Sequence, residues 1–247
     1  MSAVFAFLYV PIFVLIVFSF NQSRQNAVWT GFTFDWYVKL MSNDEVLRAL
    51  GNTLEIACIS TIIATMIGTL AAVGMYKYTF KGKTTLDNLL YIPVVIPEIV
   101  LGIALLIFFN RTHFPLGVWS LIIAHATFSI PFVVITVKSR MAGFDKSLEE
   151  AAMDLGASQF KTFIYITLPN ILPGVISGAL LSFTLSLDDV ITSFFVAGPG
   201  STTLPLQIFS MVRLGVSPEI NALSTLMLLA SVVIAIISEK FNARAHN

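Results

Sequence analysis

The chain has 247 residues, of which 56% are hydrophobic and 11% charged, and its formal net charge is zero. A soluble domain carries roughly 25% charged residues, so this composition belongs in a membrane, and the neutral balance offers nothing to a nucleic-acid partner. One cysteine, Cys58, excludes an intrachain disulfide and a cysteine metal cluster.

Six apolar stretches, at 4–20, 54–76, 86–109, 116–137, 171–187 and 222–238, are long enough or nearly so to cross as helices. The barrier is about 30 Å of hydrocarbon. The first lacks a basic leader and a small-residue cleavage site, so it reads as a retained span rather than a signal peptide. After it, Trp29, Phe32, Phe34, Trp36 and Tyr37 have the amphipathic rings that settle at a membrane interface, with a short surface helix expected over 34–41. The second span is followed by Gly82-Lys83-Thr84, a fragment of a phosphate loop. The full motif needs a glycine where Lys77 stands, and a strand before it, so the chain has no nucleotide site of its own.

The third span contains Pro93 and Pro97, which free backbone carbonyls and predict a bend. Glu98 follows at once. An ionisable group in a span costs about 2.5–3.5 kcal/mol on insertion scales, so Glu98 reads as a cation-contacting group on a path, or else as a structural acid. In the fourth span His125, with Ser120 and Ser129 nearby, reads as a helix-packing histidine; no second metal ligand stands at a workable spacing. The fifth span ends in Asp188-Asp189, two adjacent carboxylates that favour a nearby cation. Adjacent helical positions diverge by about 100°, so one of the two is expected to face the path. Residues 190–197 are too few to cross and suggest a re-entrant or buried segment before Gly198-Pro199-Gly200. An amphipathic outer helix is expected at 204–212. Glu219 and Glu55 are read as acids near helix starts, where the dipole favours them.

Nine basic residues (Lys77, Lys81, Lys83, Lys138, Arg140, Lys146, Lys161, Lys240 and Arg244) fall on one side of this arrangement, and five (Arg24, Lys39, Arg48, Arg111 and Arg213) on the other. The basic side is the cytoplasmic one, which places both termini there.

Between the fourth and fifth spans the chain reads Glu150-Ala151-Ala152, three residues, Gly156, nine residues, then Ile166-Thr167-Leu168-Pro169. Ser147 and Glu150 form a capping-box pattern that predicts a short helix, stopped by Gly156 in a left-handed conformation. A second helix is expected from about Ser158 towards Thr167, broken by Leu168-Pro169. This E-A-A-x3-G-x9-I-x-L-P pattern resembles the cytoplasmic signature loop of ABC-importer permeases. The resemblance implies an all-α membrane protein with six transmembrane helices of the type I importer-permease kind, one domain over 1–247, and a coupling-helix loop at about 138–169. It implies a bacterial inner-membrane location and a second homologous permease subunit. It also implies two ATPase subunits, which bind the ATP and magnesium, and an extracytoplasmic binding protein. No cofactor is implied in this chain. Glu150, Ala151, Ala152, Gly156, Ile166, Leu168 and Pro169 would couple to the ATPase.

A further likeness covers nearly the whole chain. The runs from Ser182 to Val190, from Ser193 to Pro199 and from Leu204 to Ala222 look like the spermidine/putrescine branch of that family, as do Asn52-Thr53-Leu54, 76–83 and 131–134. It implies polyamine import by alternating access, a polyamine-binding extracytoplasmic partner, and a substrate path along Glu98, Asp188 and Asp189. Another small solute (thiamine, iron or an oxyanion) is the alternative cargo, and an ion-coupled secondary transporter the alternative class.

Overall fold

A backbone in hydrocarbon must satisfy its own hydrogen bonds, so apolar runs of this length fold as helices. The computed structural model describes residues 2–23, 28–215 and 217–244, with side chains for 4–23, 28–213, 215, 217–234 and 236. Of the basic residues counted for orientation, Arg24 and the Lys240 and Arg244 side chains lie outside these. Among the described residues the one β feature is an isolated bridge between Asn21 and Phe32. The helices are α1 (Ser2–Phe18), α2 (Asp35–Met41), α3 (Asp44–Lys77), α4 (Lys83–Val95), α5 (Glu98–Arg111) and α6 (Val118–Met141). There follow α7 (Ser147–Asp154), α8 (Gln159–Thr162), a π-turn at Phe163–Thr167, α9 (Leu168–Asp188), α10 (Ile191–Val196), α11 (Leu204–Leu214) and α12 (Pro218–Arg244).

By length and apolarity, α3, α6 and the continuous rod Gln159–Asp188 suffice to cross a bilayer, and α4 with α5 makes a fourth if taken as one broken span. The apolar parts of α1 (Val4–Phe18) and α12 (Pro218–Ile234) are shorter. Each expected stretch folds as helix, and a count of six spans is compatible with these lengths without being fixed by them. The third stretch departs most from expectation, because it bends by 109° between α4 and α5. Pro97 has no amide to continue the ladder, and Ile96 before it takes the extended conformation that a following proline imposes (φ −70°, ψ 145°). Glu98 therefore opens a new helix instead of sitting inside an old one. Glu55 also differs from expectation: α3 begins at Asp44, capped by the Asn43 side chain, so Glu55 lies three turns in.

Helices α3, α6 and α9 form the centre. Gly68 and Gly178 flank Val133, so both outer helices come close to α6; a Cβ at Gly68 would lie 2.7 Å from that of Val133. Towards the signature-loop end, Ala72, Val73, Val134, Val137, Met141 and Ile171 make the buried core. At the far end, Ile56, Phe109, Leu121, Ile122 and Val196 join α3, α5, α6 and α10. A third cluster there joins α2, α3, α11 and α12 through Leu40, Val46, Ala49, Leu204 and Leu223. The far-end aromatics pack on one another: Phe20 stacks on Phe32 at 5.0 Å, Tyr37 shares a 2.7 Å hydrogen bond with Ser19, and the Trp36 indole donates to the Asn21 carbonyl. They hold the α1–α2 connection together as well as offering exposed ring faces.

Candidate translocation cavity and docking loop

Two features converge at the far half of the bundle. The proline break exposes the start of α5, and the end of α9 is followed directly by the short, half-buried helix α10. Between them lies a cavity of about 430 Å³ lined by Glu98, Asp188 and Asp189, with Phe128 and Phe132 on its α6 wall. The three acids singled out in the sequence thus meet in one space, and none of the described residues lining it is basic.

The acids are not equivalent. Asp189 is buried, and its carboxylate is already occupied: the Thr192 amide donates to it at 3.2 Å, and the Ser193 amide and hydroxyl each at 2.7 Å. His125 Nε2 stands 3.4 Å away. Asp189 thereby caps α10, satisfying amides that a helix start leaves open. Asp188, one residue earlier, is exposed to the cavity, as is Glu98 at the first turn of α5. Among the described residues no hydrogen bond or ion pair takes up the Glu98 carboxylate. Two uncompensated carboxylates in a partly apolar cavity call for a cation, and the Phe128 and Phe132 rings offer π-faces to an organic ammonium.

His125 is a helix-packing residue as read, but its neighbours differ. Its Nδ1 bonds Ser186 at 2.6 Å and its Nε2 bonds Ser193 at 3.1 Å, so it ties α6 to α9 and α10. Ser120 instead donates to the Val196 carbonyl, and the Ser129 hydroxyl has no partner among the described residues. Phe194 and Phe209 flank the Arg213 guanidinium, 5.8 and 4.5 Å from their ring centres. The cavity rings Phe128 and Phe132 went unnoticed; their i, i+4 spacing on the His125 helix was the available signal.

The signature loop lies at the other end. Helix α7 carries Glu150, Ala151 and Ala152, with Glu150 and Ala151 exposed. Gly156 takes φ +88°, and the Gly156 and Ala157 amides donate to Met153 and Ala152 carbonyls in a Schellman arrangement. The left-handed turn expected at Gly156 is present. The capping box is not: the Glu150 amide bonds the Lys146 carbonyl, while Asp145 Oδ1 accepts from the Ser147 amide at 2.9 Å. A charged acceptor two residues upstream outcompetes the serine and draws it into the first turn. Hydrogen bonds from the Ser147 amide and, secondarily, its hydroxyl hold the Asp145 carboxyl below its ordinary pKa.

The expected break at Leu168-Pro169 is also absent. Ser158 caps α8 by accepting from the Lys161 amide, and the chain then runs through the π-turn into α9. The Leu168 amide reaches the Phe163 carbonyl five residues back, a widened turn that accommodates the Pro169 ring. Ile166 lies half-buried in this turn, Leu168 packs on the loop-end core and Pro169 is exposed. Gly82-Lys83-Thr84 opens α4 with no strand before it, and Lys83 Nζ donates to the Tyr78 carbonyl.

Ion pairs gather the basic residues of this end. Lys138 pairs with Asp87 at 2.5 Å, and the Lys146 ammonium lies 5.0 Å from the centre of the Tyr76 ring. Lys77 pairs with Glu149 at 2.7 Å. The sequence reading missed Glu149, because nothing local says which of two adjacent glutamates turns inward.

Comparison with known proteins places these features. Residues 64–244 match the family described as the inner membrane component of binding-protein-dependent transport systems. The spermidine/putrescine transport system permease protein PotC of Escherichia coli strain K12 is 50% identical over 97% of this chain and 90% of its own length. Its Haemophilus influenzae counterpart is 44% identical over 97% of this chain and 93% of its own. The putrescine transport system permease protein PotI of Escherichia coli strain K12 is 42% identical over 98% and 88%. Among solved structures, a bacterial ABC transporter involved in importing the acidic polysaccharide alginate superposes with a TM-score of 0.78 at 14% identity, over 97% of this chain and 92% of that one. The MetNI methionine ABC transporter gives 0.68 at 18% identity, over 81% and 95%. The chain belongs to the family of binding-protein-dependent transport system inner membrane components, the permease subunits of ABC importers.

Proposed function

We propose that this chain is the permease subunit of an ATP-driven importer that carries polyamines inward by alternating access. The observation that carries the reading is the cavity in which Glu98 and Asp188 stand uncompensated beside Phe128 and Phe132. A polyamine is a chain of ammonium groups on a flexible apolar stem, and that lining offers both carboxylates and π-faces. The names of the relatives at 42–50% identity support the same cargo. An oxyanion path would be lined by basic groups, and none of the described residues lining this cavity is basic.

On this reading the signature-loop end is cytoplasmic, as are both termini, and the chain is a single membrane domain in the bacterial inner membrane. Glu150, Ala151, Ala152 and the Gly156 turn dock on an ATPase, whose two copies bind ATP and magnesium. Ile166, Leu168 and Pro169 anchor that loop to α9, and no cofactor resides in this chain. A second, homologous permease completes the path, and an extracytoplasmic polyamine-binding protein delivers the cargo to the far end. Glu98 and Asp188 contact the cation; Asp189 shapes the cavity by holding α10.

The test is ATP-dependent uptake of spermidine and putrescine by the reconstituted complex, competed by thiamine, ferric iron and sulfate. Competition by polyamines alone is expected. Glu98→Gln should lower uptake while assembly survives, because its carboxylate holds no structural bond. Normal uptake in that variant would remove Glu98 from the path, and uptake of another solute alone would overturn the cargo assignment.

A further inference from the structure

The docking loop is fastened to α3 by a polar node built from three segments. Lys77, the last residue of α3, places its ammonium 2.7 Å from Glu149 Oε1 on α7, with side chains only 23% and 12% exposed. The Thr167 hydroxyl, fully buried in the π-turn, donates to the same Glu149 oxygen and accepts from Lys77 Nζ at 3.4 Å. Beside the node, the Tyr76 hydroxyl donates to the Phe144 carbonyl at 3.4 Å, and Lys146 lies over the Tyr76 ring. Glu150, the next residue, is exposed. The two adjacent glutamates play different parts: one is left for a partner, and the other grips the chain's own α3.

The opposite end of α3 grips something too. Its 34 residues span about 50 Å at 1.5 Å per residue. Near its start the Asn52 amide donates to the Gly200 and Thr202 carbonyls, each at 3.0 Å, and Thr53 Oγ1 accepts from the Leu204 amide at 2.7 Å. Deeper in, Ser60 meets Ser186 at 3.4 Å, and Ser186 in turn bonds His125 beside Asp189. One unbroken helix therefore holds the docking loop at one end and, at the other, the segment that follows α10, the helix whose first turn lines the acidic cavity.

We propose that Lys77 and Glu149 are positioning residues of transport, the clamp through which movement of the docking loop is passed to α3 and along it to the 200–204 turn. The clamp rests on the reading that this loop docks an ATPase. A charge-assisted hydrogen bond suits such a clamp because it is directional, is shielded from water on most sides here, and links segments far apart in the chain.

The experiment measures uptake and ATP hydrolysis in the same proteoliposomes, using the full complex. Lys77→Met and Glu149→Gln should each assemble and hydrolyse ATP, with uptake per ATP reduced about tenfold, within the usual range of coupling between sites. The exchanged pair, Lys77→Glu with Glu149→Lys, should recover most of that loss, which no separate contact of either residue with the ATPase would produce. Wild-type uptake per ATP in both single variants would overturn the clamp, as would an exchanged pair no better than the poorer single one. Single variants that no longer bind the ATPase would make the pair a folding contact and overturn its coupling role. A wild-type complex that hydrolyses ATP without moving any solute would instead overturn the importer reading beneath it.

Discussion

Replacing each of the two adjacent aspartates by asparagine should separate a cation contact from a structural cap. Asp189 accepts three hydrogen bonds from Thr192 and Ser193 and lies beside His125 in a buried site. Asparagine keeps one oxygen but turns an NH2 group towards donors that already point at it. One bond is lost and the others lose their charge assistance; at 1.5–3 kcal/mol for a charged bond, Asp189→Asn should cost about 2–4 kcal/mol. Asp188 is exposed to the cavity, so Asp188→Asn should change stability by no more than about 0.5 kcal/mol. It should nevertheless impair transport. A carboxylate 4 Å from an ammonium is worth about 1 kcal/mol in water and about 4 at an intermediate dielectric, so a loss of about tenfold or more in uptake efficiency is expected. The assay is the thermal midpoint of the detergent-purified complex beside uptake normalised to protein in the membrane. Equal destabilisation by the two variants would refute the division of roles. So would an Asp189→Asn protein of wild-type stability with the same transport loss as Asp188→Asn.

Gly198→Ala should destabilise the far end by about 1–3 kcal/mol, because the added Cβ would run into the Leu116 carbonyl and come 2.8 Å from the Gly117 amide, neither of which can rotate away. Unchanged thermal stability would refute this close backbone approach. Gly156→Val should cost about 1–2 kcal/mol locally, since a β-branched residue is disfavoured at φ +88°. Copurification of the ATPase should fall with it, and full copurification would defeat the role of this turn in docking.

Much of the architecture was legible in advance because its causes are local. A proline deprives the ladder of a donor wherever it stands, so a bend near Pro97 could be anticipated; its size, 109°, depends on how α5 packs against α10. A glycine at a helix end favours the left-handed turn found at Gly156. The failures were also local rules, but rules with a nearby competitor. Ser147 lost the capping position to Asp145, a charged acceptor two residues away. Pro169 did not stop a helix because the preceding π-turn widened enough to receive its ring.

By itself the sequence determined the helical class, the membrane setting, the place of the signature loop and the identity of three candidate acids. The class, the setting and the acids follow from composition, period or spacing along one chain, and the loop from its resemblance to the ABC-importer permease pattern. Only the tertiary structure decided that Asp189 is spent on capping α10 while Asp188 and Glu98 face the cavity, and that Glu149 turns inward to Lys77 while Glu150 stays exposed. Neighbouring residues on a helix point about 100° apart, and nothing in their order says which direction will meet a partner. Packing of α10 against α5 and of the loop against α3 supplies that direction, through contacts between residues far apart in the chain.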